Sequence, residues 1–203
     1  MLLPEHRAIF AHIPKTGGQT LERVLGHAHQ RNHHAIRGLP DDWPQWFRFT
    51  FVRHPLDRFI SACNYSVDMA MRHPSRYSRH SSLGSLDRFR LWLLESEPNL
   101  EAVVARMEAE RALRRIVHFR PQVKWLKAIR PQFIGRFEHF HDDLHTLLRL
   151  LAIDRSIEAV SVHLNRSGSR YGREDLDRAT TRRLAHLYRH DLKVLGYKAN
   201  RLP

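Results

Sequence analysis

The fold class is indicated first by residues 7–26, Arg7-Ala-Ile-Phe-Ala-His-Ile-Pro-Lys-Thr-Gly-Gly-Gln-Thr-Leu-Glu-Arg-Val-Leu-Gly26. Residues 7–14 are a short, mostly apolar run that ends at a proline, which is typical of a buried strand. Residues 19–25 place their apolar side chains at helical spacing and are followed by a glycine. The segment 15–18 between them is a loop, so this stretch predicts a strand–loop–helix unit.

The remainder of the chain continues the alternation of strands and helices. Aromatic residues alternate over residues 46–52, which predicts a second strand, and Pro55 is well placed as the first residue of a helix. We expect helices over 86–95, over 100–117 and from Asp142 onward, a third strand over 132–137, and a long helix over 174–195. Strands separated by helices favour an α/β domain of three layers, with a central parallel sheet flanked by helices.

The length and the charge of the chain limit its class. A chain of 203 residues is expected to fold as one domain, residues 1–203. Lys and Arg number 34 against 21 Asp and Glu, a net charge of +13, which indicates anionic partners such as phosphate esters, sulfated or carboxylated sugars, or nucleic acid. The single Cys63 excludes an internal disulfide. With no apolar run long enough for a membrane span and no signal peptide, we expect a cytoplasmic protein.

The glycine loop, residues 14–20, has the composition of an anion site. Its two glycines let the backbone curl, so that N–H groups from about Thr16 to Thr20 can point into one space. The following helix adds its positive end, and Lys15 adds a full charge. The order differs from G-x-x-x-x-G-K-[ST], in which the lysine follows the glycines. The loop therefore predicts a phosphate or sulfate site, and the alternative is an ordinary Gly-Gly turn with an exposed lysine.

A second candidate site follows the second predicted strand. Arg53 leaves the carboxyl edge of the sheet, where ligands bind in open α/β folds. Ser61 lies six residues into the helix that begins at Pro55, and a guanidinium and a hydroxyl together suit a phosphate. Between them, Asp57 is interpreted as a charge in the first helical turn and Arg58 as a surface residue.

Two other chemistries have less support. The sixteen histidines include the group His139, His141 and His145, but no H-E-x-x-H pattern occurs and no cysteine joins them, so we expect no metal. The sequence also lacks the signatures of the common nucleic-acid-binding modules. We therefore expect no specific nucleic-acid partner.

Two motifs carry a family resemblance: His12-Ile-Pro-Lys-Thr-Gly-Gly18 and Phe51-Val-Arg-His-Pro-Leu-Asp-Arg-Phe-Ile-Ser61. Together they resemble the two cofactor signatures of the carbohydrate-type (family 2) sulfotransferases. Those proteins are similar to P-loop kinases in fold, so the resemblance implies a P-loop-like three-layer domain. Its later landmarks are Pro121-Gln122, Ile134-Gly-Arg-Phe-Glu138 with Asp143, and Asp191-Leu-Lys-Val-Leu-Gly-Tyr197. The resemblance spans residues 9–197 and implies 3′-phosphoadenosine-5′-phosphosulfate as donor, with 3′,5′-adenosine bisphosphate as product.

The resemblance also implies residue roles. The 5′-phosphosulfate would be held by Lys15, Thr16, Gly17, Gly18, Gln19 and Thr20, and Lys15 would act in catalysis on the bridging oxygen. The 3′-phosphate would be held by Arg53 and Ser61, and the nucleotide would be covered by Arg166 and Ser167. His34 is implied as the catalytic base, with His33 as the adjacent rival. Gln19 departs from the usual Thr or Ser, and His54 from the common Asn.

The implied reaction moves a sulfuryl group to an acceptor hydroxyl or amine on a carbohydrate or glycolipid, without a metal because protein cations replace it. The basic composition favours an anionic glycan or glycolipid as the acceptor, and small alcohols fit as well. We expect the loop 72–85 and the helices of 86–117 to recognise the acceptor. The alternatives are a non-catalytic nucleotide- or anion-binding protein of the same fold and a P-loop-type kinase, although the Gly-Lys-Ser/Thr of such a kinase is absent.

Overall fold

The structure is a computed structural model that describes residues 1–26, 38–73, 84–154 and 170–199. The chain divides into two compact units. The first unit comprises Met1–His54 and Gln122–Asn165, and the second comprises Pro55–Pro121 and Arg166–Pro203. The single domain expected over residues 1–203 stays a prediction.

Helices separate the strands β2, β3 and β4 along the described ranges, as in an α/β protein. The strands are β1 (Leu2–Leu3), β2 (Ala8–Phe10), β3 (Phe47–Val52) and β4 (Phe133–Arg136). The α-helices in these ranges are α1 (Gly18–Val24), α2 (Pro55–Arg72), α3 (Ser85–Glu95), α4 (Leu100–Ala109), α5 (Val123–Ile129), α6 (Phe140–Leu150), α7 (Arg178–Leu187) and α8 (Arg189–Leu195). The predicted α/β class is therefore confirmed.

The sheet of the first unit has the strand order β1-β2-β3-β4. The three strands β2, β3 and β4 are parallel, as the sequence predicts. Strand β1 is antiparallel to β2, which corrects the expectation of a wholly parallel sheet. The physical reason is the tight turn over Pro4–His6, which closes with Arg7 in the left-handed region at φ 44° and reverses the chain.

Helices cover both faces of this sheet within the first unit. Side chains alternate along β2, so Ala8 and Phe10 face one side and Ile9 the other. The side with Phe10 packs against apolar residues of α1 and α6, and the side with Ile9 packs against Ile129 of α5. Both faces of β2 are therefore buried, which gives the two carboxyl-end loops described below a packed base.

The second unit is helical. Its core joins α2, α3, α4, α7 and α8 through buried side chains that include Phe59, Phe89 and Phe119. Asn64 of α2 ties in the segment before α7, because its side-chain amide accepts from the Tyr171 N–H at 2.9 Å and donates to the Tyr171 carbonyl at 2.8 Å. None of the helices in the described ranges combines the length with the apolar character that crossing a membrane takes.

Three helix boundaries differ from the sequence predictions. The helix expected over 100–117 ends at Ala109, where Glu110 leaves helical geometry at ψ 89°. The helix expected over 174–195 is two helices, α7 and α8, which part at Tyr188. Its start lies at Asp177, whose carboxylate accepts from the Thr180 N–H as an N-cap. Helix α6 begins at Phe140, two residues before the expected start.

Burial of Tyr171 makes alkaline stability a test of the second unit. Burial raises the pKa of its phenol to about 12, and the phenol donates to the Pro98 carbonyl at 2.8 Å. Since the folded pKa exceeds the ordinary value of 10, this contribution is complete below pH 10 and is lost as the pH rises towards 12. At pH 8 we expect Tyr171→Phe to have a free energy of unfolding about 1 kcal/mol below that of wild type, because the hydrogen bond is lost. Urea unfolding should show this difference becoming smaller between pH 10 and pH 12. A difference that stays constant would contradict this.

Candidate functional site

Two loop segments of the first unit leave the sheet at the same edge. Strands β2 and β3 are parallel neighbours that pair Phe10 with Phe49. The glycine loop follows β2 in the chain, and the turn Arg53–His54 follows β3. Because the carboxyl ends of parallel strands share one edge, both segments that the sequence singled out emerge there, where open α/β sheets bind ligands.

The backbone of the glycine loop curls as its two glycines predict. Lys15 lies in the left-handed region at φ 71° and Gly17 at φ 85°. A Cβ atom on Gly17 would lie 2.5 Å from Phe140 Cε2, and one on Gly18 would lie 2.1 Å from His12 Nε2. Both glycines are therefore required by close packing against neighbouring rings, and Gly17 by its conformation as well.

Under Gly18 lies a buried histidine–glutamate pair. His12 Nδ1 is 2.8 Å from Glu22 Oε1, and both side chains are buried. The His12 ring also stacks on Phe10, with 5.4 Å between the ring centroids. Glu22 orients the imidazole so that its other nitrogen sits against the glycine loop, which fixes the position of the start of α1.

The two threonines of the loop do not play equal parts. Thr16 is fully buried, and its hydroxyl donates to the Ile13 carbonyl at 2.8 Å. The Thr20 N–H donates to the Gly17 carbonyl at 3.0 Å. Of the N–H groups expected to face the anion, from Thr16 to Thr20, that of Thr20 is already used in the first turn of the helix. Lys15 is half-buried and Gln19 is exposed.

Arg53 is held through its backbone and its side chain. The Gln122 side chain accepts from the Arg53 N–H at 3.0 Å and donates to the Arg53 carbonyl at 2.8 Å. The guanidinium carbon of Arg53 lies 4.3 Å from the centroid of the Phe137 ring, a cation–π distance. A fixed, half-buried guanidinium at the sheet edge is suited to binding a phosphate.

Two carboxylates complete the same edge. Glu138 Oε1 accepts from the His54 N–H at 2.6 Å, and Asp143 Oδ2 accepts from the Arg136 N–H at 2.6 Å. The sequence assigned no role to three residues that it offered only as later landmarks of the family resemblance: Gln122, Glu138 and Asp143. In the structure each bonds to main chain at the carboxyl end of β3 or β4. The single sequence carries no signal for these contacts, because the partners of Gln122 and Glu138 are 69 and 84 residues away.

The other half of the second motif lies in the second unit. Ser61 is half-buried on α2. The interpretation of Arg58 as a surface residue is wrong: it is 1% exposed and heads the largest fully buried side chains of the described ranges. Its guanidinium donates to the carbonyls of Arg120 at 3.0 Å and Val117 at 3.4 Å. A delocalised cation with five donors can be buried where backbone carbonyls receive it, so its role in the motif is structural.

Several residues singled out by the sequence lie outside the described residues. These are the candidate bases His33 and His34, the nucleotide-covering pair Arg166 and Ser167, and most of the loop 72–85. Their roles stay predictions. Within the described ranges, no three His, Cys, Asp or Glu side chains converge as metal ligands would. His141 and His145 pack edge to face at 4.7 Å between ring centroids.

Comparison with known families assigns the class. The model of the sulfotransferase family (family 2) matches residues 1–198, which is nearly the whole chain and includes both loop segments at the sheet edge. The chain belongs to the sulfotransferase family, and the resemblance of its two motifs is confirmed. Family membership supports a transferase that moves sulfuryl groups. Searches among curated proteins and among solved structures gave no match.

Proposed function

We propose that this sulfotransferase moves a sulfuryl group from 3′-phosphoadenosine-5′-phosphosulfate to a hydroxyl or amine of a carbohydrate or glycolipid. One observation carries the proposal. Two segments that each bear a cation, Lys15 and Arg53, follow neighbouring parallel strands at one sheet edge, and packing fixes the backbone of both. A donor with phosphate at both ends of one nucleoside needs two such anion sites.

The residues of the glycine loop fit the phosphosulfate end of this donor. A Cβ at position 17 or 18 would collide with Phe140 or His12, so packing holds the loop in its curled form. A curled glycine loop can direct main-chain N–H groups at an anion, as in phosphate sites. Lys15 through Thr20 would hold the anion by main-chain N–H groups and the lysine charge, with fewer N–H groups than five because Thr20 uses its own. Arg53 would hold the 3′-phosphate, and the role implied for Ser61, which belongs to the second unit, stays a prediction.

The chemistry is positioning and charge stabilisation. The sulfuryl sulfur gains a bond to the acceptor oxygen or nitrogen as its bond to the phosphate oxygen breaks, and the electron pair stays on that oxygen. Lys15 would stabilise the charge that develops there. His34, with His33 as the rival, would take the acceptor proton, which is typically worth about 10²–10⁴-fold in rate.

Our proposal for the class of acceptor is based on the net charge of the chain. A net charge of +13 raises the local concentration of anions, so an anionic glycan or glycolipid is the acceptor we propose. The loop 72–85 and helices α3 and α4 are the proposed acceptor-binding elements. A cytoplasmic location belongs to the same proposal.

Substitution of either cation tests the two anion sites. We expect Lys15→Ala and Arg53→Ala each to weaken binding of 3′,5′-adenosine bisphosphate by about 10- to 100-fold, because each removes a charge-assisted hydrogen bond. Isothermal titration calorimetry measures this. Lys127→Ala and Arg149→Ala, which remove exposed cations from α5 and α6 of the same unit, should bind as wild type does. Unchanged affinity in both Lys15→Ala and Arg53→Ala would reject the assignment.

Ligand ranking and transfer assays separate the proposed activity from its alternatives. Thermal-shift measurements should place 3′,5′-adenosine bisphosphate above ATP and above oligonucleotides. Incubation with radiolabelled donor and a panel of neutral and anionic glycans should label an acceptor. A preference for ATP would contradict the proposed donor. Stabilisation by the bisphosphate without labelling of any acceptor would favour a non-catalytic nucleotide-binding protein.

A further inference from the structure

The turn at Arg53 receives an unusual pair of hydrogen bonds. Gln122 is fully buried, and its one amide group bonds both the N–H and the carbonyl of Arg53, at 3.0 and 2.8 Å. This is the pairing that a neighbouring strand would supply, here made by a single side chain after β3 has ended. The peptide groups on both sides of Arg53 are thereby fixed in orientation.

The next residue is fixed in the same way from another element. Glu138 Oε1 accepts from the His54 N–H at 2.6 Å, and the adjacent Phe137 places its ring 4.3 Å from the Arg53 guanidinium carbon. Two consecutive residues after β4 thus hold the turn: Phe137 contacts the arginine side chain and Glu138 the backbone. Neither peptide plane of the turn can rotate without breaking a buried or half-buried hydrogen bond.

We propose that Gln122 and Glu138 are positioning residues that make the protein selective for nucleotides with a 3′-phosphate. The inference rests on the proposed function, in which Arg53 binds that phosphate. A guanidinium discriminates by distance and direction, and a displacement of about 1 Å in a positioned group can cost about 10²-fold. Gln122 and Glu138 touch no ligand in this account, since they act by holding the backbone from which Arg53 projects.

The test compares two ligands that differ only in the 3′-phosphate. The dissociation constants of 3′,5′-adenosine bisphosphate and of 5′-AMP are measured by calorimetry for each variant, and their ratio is the selectivity. Gln122→Met keeps the bulk of the side chain and removes both bonds to Arg53. We expect this variant to lose about 10-fold or more of the selectivity, with 5′-AMP binding within about 3-fold of wild type, because the glycine loop is untouched.

A second pair of variants covers the case in which Gln122→Met does not fold. Glu138→Leu removes the acceptor for the His54 N–H, whereas Glu138→Gln keeps an oxygen there. We expect loss of selectivity in Glu138→Leu and its rescue in Glu138→Gln. The matched control is Gln132→Met, because the Gln132 side chain accepts from the Arg48 N–H at 2.7 Å near the opposite end of β3 and should leave the selectivity unchanged.

The outcomes separate this inference from the proposed function. Folded Gln122→Met and Glu138→Leu proteins that keep the wild-type ratio would overturn it, as would an equal loss of affinity for both ligands, which marks a merely structural role. A wild-type protein that binds the two ligands equally would instead reject the 3′-phosphate site, and the proposed donor with it.

Discussion

Gly18→Ala is expected to destabilise the first unit by about 3 kcal/mol or more, at the upper end of what overpacking costs, and to abolish detectable nucleotide binding. The added Cβ would lie 2.1 Å from His12 Nε2 and 2.4 Å from His12 Cδ2. The His12 ring cannot easily move, because it is buried, stacks on Phe10 and bonds Glu22 at 2.8 Å. The collision is therefore relieved only by displacing the glycine loop, which is the proposed phosphosulfate site.

The cause of this effect can be isolated with further variants. Gly84→Ala is the matched control, since Gly84 also stands at the start of a helix, its φ is −69° and nothing lies within 4 Å of the Cβ position. It should lose no more than about 1 kcal/mol. In a His12→Ala background the ring is absent, so adding Gly18→Ala there should cost less stability than Gly18→Ala costs in wild type. Urea unfolding measures these proteins, and a Gly18→Ala protein as stable as Gly84→Ala would contradict the expectation.

The sequence predicted those parts of the fold whose signals are local and repeated. The apolar run before Pro14 and the alternating aromatic residues of 46–52 gave β2 and β3, and helical spacing gave α1 and α2. Strand β1 has only two residues, which is too short for a periodic pattern to be distinguished from chance. The break between α7 and α8 at Tyr188 contains neither glycine nor proline, so the residue types there did not predict it.

The candidate site was predictable only where it is continuous in sequence. The glycine loop and Arg53 are visible because a strand, a turn residue and a helix follow one another. The contacts of Gln122 and Glu138 with the turn span 69 and 84 residues, and nothing in a single sequence links such positions. His12 was visible as a member of the motif, but its place under Gly18 depends on how α1 packs on β2.

Arg58 illustrates a different limit of the sequence. Charged side chains are almost never fully buried unless paired, so an arginine in the first turns of a helix is ordinarily assigned to the surface. Here the second unit surrounds it. The carbonyls of Val117 and Arg120 accept from Arg58, and the Phe119 carbonyl accepts from the Tyr188 hydroxyl at 2.7 Å. Two buried polar side chains thus hold one irregular segment near Pro121, where the first of the two chain stretches of the second unit ends.

Arg58 shares the interior of its unit with a buried acidic side chain. Asp191 is also fully buried. Burial is the main cause that raises the pKa of the Tyr188 phenol. The charge of Arg58 lowers this pKa, and the charge of Asp191 raises it. Charges of both signs therefore act at Tyr188 in a medium from which water is excluded. A substitution that removes the Arg58 guanidinium also removes its two bonds to partly buried carbonyls.

We therefore expect Arg58→Met to lower the free energy of unfolding by about 3–5 kcal/mol, because it leaves two partly buried carbonyls without their donor, each at a cost of about 1–3 kcal/mol. Arg58→Lys should recover only part of this loss, since an ammonium lacks the planar set of donors. Arg72→Met, at the exposed end of the same helix, should change stability by no more than about 0.5 kcal/mol. Guanidinium unfolding compares the three variants. An Arg58→Met protein within about 1 kcal/mol of wild type would show that the buried guanidinium is dispensable, so that its bonds to the carbonyls only replace equivalent bonds to water.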